Sequence, residues 1–202
     1  MKYLHSGIQR SGTNFLSKLI HLNFGISFIN NMSGNVNGKD IPRYNPLHKH
    51  FRIQDDKSTI VMDEKYNNDL NFETFKDYKI HLGIDDLKVV IIRQNLDSWL
   101  TSIKKWAFKC NWVTLEEFDS VKESYIREYQ EYYNKWESFQ SENENDIVIL
   151  NLDNIINNFD GEFTKLGKLF DLKEKVIYPT QVNLSGKRKN DIKSKKFKIE
   201  YE

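Results

Sequence analysis

The sequence predicts an α/β protein of three layers, with helices on both faces of a mostly parallel central sheet. Three observations carry that prediction. The stretch "LKVVIIRQN", residues 87–95, is a continuous β-branched run of the kind found in strands covered on both faces, and "DIVILNL", residues 146–152, is a second. Helical periodicity separates and follows these runs. Near the start, "SGIQRSGTNFLSKLI", residues 6–20, joins a short apolar stretch to an amphipathic pattern through a loop bounded by Gly7 and Gly12.

Taken in order, residues 2–5 predict a buried strand and residues 6–12 a loop. Phe15, Leu16, Leu19, Ile20 and Leu22 space a helix over 13–24. Residues 26–29 predict a second strand, and Gly, Asn and Pro mark 31–45 as a loop. "PLHKHFRI" (46–53) and "STIVMDE" (58–64) read as further strands. A helix over 96–108 follows the central run, and a long one covers 114–141, entered by Thr114 with Glu117 three residues later as a capping box. The strand at 146–152 precedes a short helix in "GEFTKLGKLFDL" (161–172). Beyond Pro179 the chain turns polar and basic, and 185–202 is expected to be a lid or tail on a single domain spanning 1–202.

With 202 residues, 39% hydrophobic and 13% aromatic, the chain has the means to build one proper core. A formal net charge of +1 excludes a generally polybasic nucleic-acid binder but leaves room for a local basic site. Cys110, the single cysteine, cannot form an internal disulfide. No segment approaches the roughly 20 apolar residues of a membrane span, and His5-Ser6-Gly7 interrupts any signal-peptide core. The expectation is a soluble intracellular, cytoplasmic protein.

A glycine-bounded loop opening a helix exposes successive backbone N–H groups at the positive end of the helix dipole, and both favour an anion. Arg10 adds a full charge; Ser11 and Thr13 add hydroxyls. Gly7-x-x-x-x-Gly12 matches the frame of an ATP-binding loop, but Thr13 stands where that loop places lysine and Asn14 where it places the metal-binding hydroxyl. The loop therefore suits a phosphate held without Mg²⁺.

"RSGTNFL" resembles the 5′-phosphosulfate loop of sulfotransferases that use 3′-phosphoadenosine 5′-phosphosulfate (PAPS). "VVIIRQNLDSWLTSIKKW" is similar to the same family's 3′-phosphate site, with Arg93 ending the strand, Asp97 in the acidic position and Thr101, or adjacent Ser102, as the helical hydroxyl. Gln94-Asn95-Leu96 replaces the family's Asn-Pro turn. Asn151-Leu152-Asp153-Asn154 is a loose version of a later turn, and "LSGKRKN", with Lys187 and Arg188, is similar to the basic segment that closes over the 3′-phosphate. The resemblance implies a P-loop-type fold, PAPS as donor and PAP as product. It places the 5′ end on Arg10, Ser11, Gly12, Thr13 and Asn14, and the 3′-phosphate on Arg93 with Thr101 or Ser102.

Sulfuryl transfer needs positioning, charge stabilisation and a base for the acceptor's proton. In "LHKHFR" an extended strand would point His48 and His50 one way and Lys49 and Phe51 the other. His50, directly after Lys49, is the closer match to the family's base, with His48 second; Lys49 and Arg10 would assist the sulfonate and the leaving oxygen. The acceptor stays open among carbohydrate, protein tyrosine, lipid and small molecule, with 31–45 as its candidate loop.

Two other classes share the loop: an Mg²⁺-dependent nucleotide kinase or NTPase, and an inactive nucleotide-binding module. "TIVMDE" has the form of the metal-binding strand of the former, although Asp63-Glu64 also suits a helix start. Phe118, Val121, Tyr125, Tyr129, Tyr132, Trp136 and Phe139 form a stripe that reads as core packing. No cluster has metal-ligand spacing, and the basic tail lacks the aromatic pattern of a nucleic-acid surface.

Overall fold

The computed structural model describes residues 1–30, 35–36, 39–157, 159–171, 176–177 and 197–198. Three parallel strands form the sheet in the order β1-β4-β5: β1 at Lys2–Ser6, β4 at Leu87–Arg93 and β5 at Ile147–Asn151. Leu4 pairs with Val89, and Val90 with Val148. Two-residue strands β2 (Asn35–Val36) and β3 (Lys39–Asp40) pair with each other, as do β6 (Val176–Ile177) and β7 (Phe197–Lys198).

Alternation along β4 divides the core in two. Leu87, Val89 and Ile91 face α2 (Phe75–Leu82), α3 (Leu96–Lys109) and α4 (Leu115–Glu142), whose Phe75, Trp99, Ile103, Tyr132 and Trp136 are buried against them. Val90 and Ile92 face α1 (Thr13–Phe24) and α6 (Phe159–Leu169), meeting Phe15, Leu16, Leu19, Leu166 and Leu169. Between β5 and α6 lies α5 (Leu152–Asn157). A central strand buried on both faces is apolar where it is covered, which is why Val89 to Ile92 in β4 read as an unbroken hydrophobic run. The three-layer α/β arrangement predicted from sequence is thus the observed fold, built on a small sheet.

The helices over 13–24, 96–108 and 114–141 appear with their ends shifted by no more than one residue. Thr114 accepts from the Glu117 amide while the Glu117 carboxylate accepts from the Thr114 N–H, completing the predicted capping box. The aromatic stripe of α4 packs into the core. Two helices were missed: α5, which follows β5 directly, and α2, which is entered by the equivalent box Thr74-x-x-Asp77, a signal present in the sequence.

Three expected strands are absent. Residues 26–29 donate one backbone bond, Ile29 N–H to the Tyr3 carbonyl. Beyond it the Asn30 carboxamide replaces a strand, accepting from the His5 N–H at 3.1 Å and donating to the His5 carbonyl at 2.8 Å. Residues 46–53 form turns, with His48 N–H donating to the Asn45 carbonyl and Phe51 N–H to that of His48. Residues 58–64 break because Asp56 and Asp63 cap short 3-10 turns at Lys57–Thr59 and Glu64–Tyr66, side-chain bonding that competes with a sheet ladder. Among the described residues, no helix is long and apolar enough to cross a membrane.

Gly7 is where the loop leaves β1. A Cβ there would lie 2.4 Å from Ser11 Oγ and 2.7 Å from the Ile92 carbonyl oxygen, so only glycine lets the loop lie on β4. Gly7→Ala is expected to lower stability by about 1–3 kcal/mol through overpacking. Urea denaturation monitored by tryptophan fluorescence checks this, and an unchanged midpoint would refute it.

Candidate functional site

A cavity of about 810 Å³ opens where the C-terminal ends of the strands meet the helix starts, the usual ligand position in open parallel sheets. One side is formed by Gln9, Arg10, Gly12, Thr13, Asn14 and Phe15 of the loop and first turn of α1, with Ser102 and Trp106 of α3. Asp40, Ile41, Pro42, Arg43 and Tyr44, then Lys65 and Tyr66, line the cavity as well. His48, Lys49 and His50 also line it.

The loop is held in an unusual conformation. Arg10 takes φ +67° and Gly12 φ +101°, so two left-handed residues sit within three positions. For the non-glycine Arg10 that costs about 1–2 kcal/mol, and such outliers gather at functional sites. Gly12 is the N-cap of α1 and provides no side-chain hydrogen bond, so no cap side chain satisfies the first-turn N–H groups beside the cavity. Leu152 packs directly beneath Gly12. The Leu152 turn is fixed in its own right: Asn151 Oδ1 accepts from the Asp153 and Asn154 amides, Asn151 Nδ2 donates to Asn95 Oδ1 at 2.7 Å, and Asp153 accepts from the Asn95 N–H at 2.8 Å.

Of the residues expected at the 5′ end, Arg10, Gly12, Thr13 and Asn14 line the cavity, but Ser11 does not. Its Oγ is buried beside Gly7, turned toward the sheet. Arg10 stacks over Trp106, with its guanidinium carbon 5.1 Å from the ring centroid, and donates Nε–H to Ser102 Oγ at 3.1 Å.

The expected 3′ pair is placed differently. Arg93 donates to Glu137 of α4 and lies over the Tyr133 ring at 5.7 Å; neither Arg93 nor Thr101 lines the cavity. Thr101 Oγ1 donates back to the Asp97 carbonyl at 3.0 Å, a common use of a helical threonine. Ser102 is the α3 hydroxyl that lines it. Lys187 and Arg188 lie outside the described residues, as does most of the expected lid.

The histidines are not related as in a strand. The His48 ring accepts at Nδ1 from the His50 N–H at 3.1 Å, which leaves the neutral ring's proton on Nε2. The His50 ring meets the Gly7 carbonyl at 2.7 Å through Nδ1; a carbonyl only accepts, so Nδ1 carries the proton and Nε2 keeps its lone pair. Between the two, His50 is therefore the ring able to act as a base. Burial, then the charge of Lys49, holds its pKa well below the usual histidine value. His48 is lowered to about 4 by burial, then by Lys49, Arg43 and Arg52. Burial lowers Lys49 to about 8, while its Nζ donates to Asn14 Oδ1 at 2.7 Å.

Sequence reasoning missed Arg52, Glu128 and Gln9. Arg52 and Glu128 are fully buried and paired at 2.6 Å. The signal was present: Glu128 falls three residues after Tyr125 and four before Tyr132, on the apolar face of α4. Asp63 is not at a strand end; it accepts from the Lys65 N–H and from Arg43 at 2.8 Å. Among the described residues no three His, Cys, Asp or Glu side chains converge as a metal site.

No family model, curated protein or solved structure matches this chain.

Two outcomes follow from the electrostatics. His5 is buried, held by Asn30 and lowered to about 3, chiefly by burial and then by Lys49. For His5 and His48 the unfolded chain binds a proton near pH 6.5 while the folded chain does not. Their contribution is complete above pH 6.5 and is lost as pH falls toward 4 and then 3. The urea midpoint should decline over that window, and His48→Gln should flatten the decline; a decline unaltered by the substitution would refute the assignment. Separately, an anion in the cavity raises the Lys49 pKa. Inorganic sulfate bound near pH 8 should take up part of a proton, read by calorimetry in buffers of different ionisation enthalpy, and Lys49→Met should abolish that uptake.

Proposed function

We propose that this protein is a sulfotransferase that binds PAPS in the 810 Å³ cavity and passes its sulfuryl group to an acceptor hydroxyl or amine. The observation that carries the reading is the start of α1. Its N-terminus has no side-chain cap behind a left-handed Gly12, and it faces a cavity also lined by Arg10, Lys49 and a neutral His50. Preorganised N–H donors with nearby cations suit an oxyanion that gains charge as the donor's S–O bond breaks. Asn14 Oδ1 meets Lys49 Nζ at the position where a metal-dependent loop carries a hydroxyl, so the charge is met by side chains.

In this reading the first-turn N–H groups and Lys49 hold the 5′ end. Ser102, one of the two hydroxyls the family resemblance offered for the 3′-phosphate, keeps that role, and Arg10 takes the part of Arg93, because both line the cavity. A guanidinium suits that anion through its planar donors. As the acceptor oxygen or nitrogen bonds to sulfur, its proton passes to His50 Nε2, and the electron pair of the broken S–O bond stays on the 5′-phosphate oxygen of PAP. Asp40 to Tyr44, inside the segment expected to read the acceptor, line the same cavity.

Calorimetry with PAP in the absence of divalent metal is the primary test. Saturable binding is expected; preference for Mg²⁺·ATP over PAP would overturn the reading. PAP binding without sulfate transfer across a broad panel of hydroxyl and amine acceptors would make this a binding module. Arg10→Ala should weaken PAP about 10- to 100-fold, as expected for hydrogen bonds to charge, and by more than Arg93→Ala. His50→Gln should leave PAP affinity within about twofold while lowering turnover about 10²- to 10⁴-fold, the usual worth of a general base.

A further inference from the structure

The guanidinium of Arg52 touches three segments that wall the cavity. Nη1 donates to the His50 carbonyl at 2.8 Å, Nη2 reaches Gln9 Oε1 at 3.5 Å and Met62 Sδ at 3.2 Å, and the plane lies over Tyr66 at 4.5 Å. Gln9 belongs to the phosphate-binding loop, His50 to the turn that carries the base, and Tyr66 to the 3-10 turn on the acceptor side. Nε donates to Glu128 Oε1 at 2.6 Å, and Glu128 Oε2 accepts from the Val61 and Met62 amides at 2.8 and 3.1 Å.

Stability alone is a poor reason for such a pair. Both side chains are fully buried, and a well-packed apolar replacement of a buried ion pair is often neutral or stabilising. What an apolar pair cannot do is fix orientation. A planar fork with five N–H donors holds several acceptors at set angles at once, which neither a lysine nor a hydrocarbon achieves. The constraint passes onward from His50. Its ring donates to the Gly7 carbonyl, and the Gly7 N–H donates to the Lys49 carbonyl at 3.0 Å, with Ser6 Oγ donating to the same oxygen at 3.0 Å. The loop and the base-bearing turn are thus laced together at Gly7, and Arg52 grips both from behind.

We propose that Arg52, oriented by Glu128, is a positioning residue that sets the His50 ring and the Gln9 loop in one arrangement, keeping the His50 proton on Nδ1 and the lone pair on Nε2. The role given to His50 rests on the sulfotransferase reading; the effect on its ring does not.

The test reads the ring nitrogens of His50 by ¹⁵N NMR on the full chain, assigned with His50→Gln. In the wild type a single Nδ1–H tautomer is expected. The double variant Arg52→Met/Glu128→Leu replaces the pair with apolar side chains, and its circular dichroism should show a retained fold. In it the His50 signals should broaden or average between tautomers, and PAP affinity should fall at least tenfold. Arg52→Lys keeps the charge and loses the fork; it should shift the same signals, and it keeps the test decisive if the double variant does not fold. A folded variant whose His50 signals match the wild type would overturn the proposal. Failure of the wild type to bind PAP would instead sink the nucleotide reading, while the ligand-free ring signals would still decide the role of Arg52.

Discussion

The walls of the candidate site depend on the Arg52–Glu128 contact because the chain from Pro46 to Tyr66 has almost no regular structure of its own. It crosses the top of the sheet without a ladder, so side chains from elsewhere must satisfy its backbone. Glu128 takes the Val61 and Met62 amides, Arg52 the His50 carbonyl, Tyr78 the Pro46 carbonyl and Ser6 the Lys49 carbonyl. Lys57 and Asn68 both donate to the Arg52 carbonyl. Removing two ions from water costs several kcal/mol for each. Here that cost is offset by a network in which each charge also closes backbone bonds that would otherwise be left open. The site's walls owe their positions to a polar scaffold, while the helices and the sheet owe theirs to apolar packing.

This division decides what the sequence reveals. β4, β5, α1, α3 and α4 follow from periodicity and capping, because one face of each element must be buried and the pattern repeats accordingly. Residues 46–53 and 58–64 have the composition of strands yet fold as turns. The apolar Phe51, Ile53 and Met62 are buried as a strand's would be, but Arg52 and Gln54, which would face solvent in a strand, are buried as well. A polar residue between two apolar ones looks like the solvent face of a strand unless its distant partner is known, and Glu128 lies 76 residues away.

The site shows the same limit. Glycines mark the Gly7–Gly12 loop in the sequence because backbone conformation is a local matter. The direction taken by Arg93 is not local: it is set by Glu137, 44 residues further on and on another helix. Ser102 rather than Thr101 lines the cavity because neighbouring helical positions point about 100° apart, a difference finer than motif matching resolves. The different ring-nitrogen bonds of His48 and His50, to the His50 N–H and the Gly7 carbonyl, appear only once the chain turns.

Asn30 gives β1 a different kind of finish. A parallel sheet of three strands has two open flanks, and an exposed flank is a template on which another chain can polymerise. Here one carboxamide occupies both backbone groups of His5, as a fourth strand would, yet it offers no onward row of donors and acceptors. The sheet is terminated on this flank by that side chain together with the Ile29 N–H bond to the Tyr3 carbonyl. A small sheet can therefore stay small, with its growth halted on the flank where the Gly7–Gly12 loop begins.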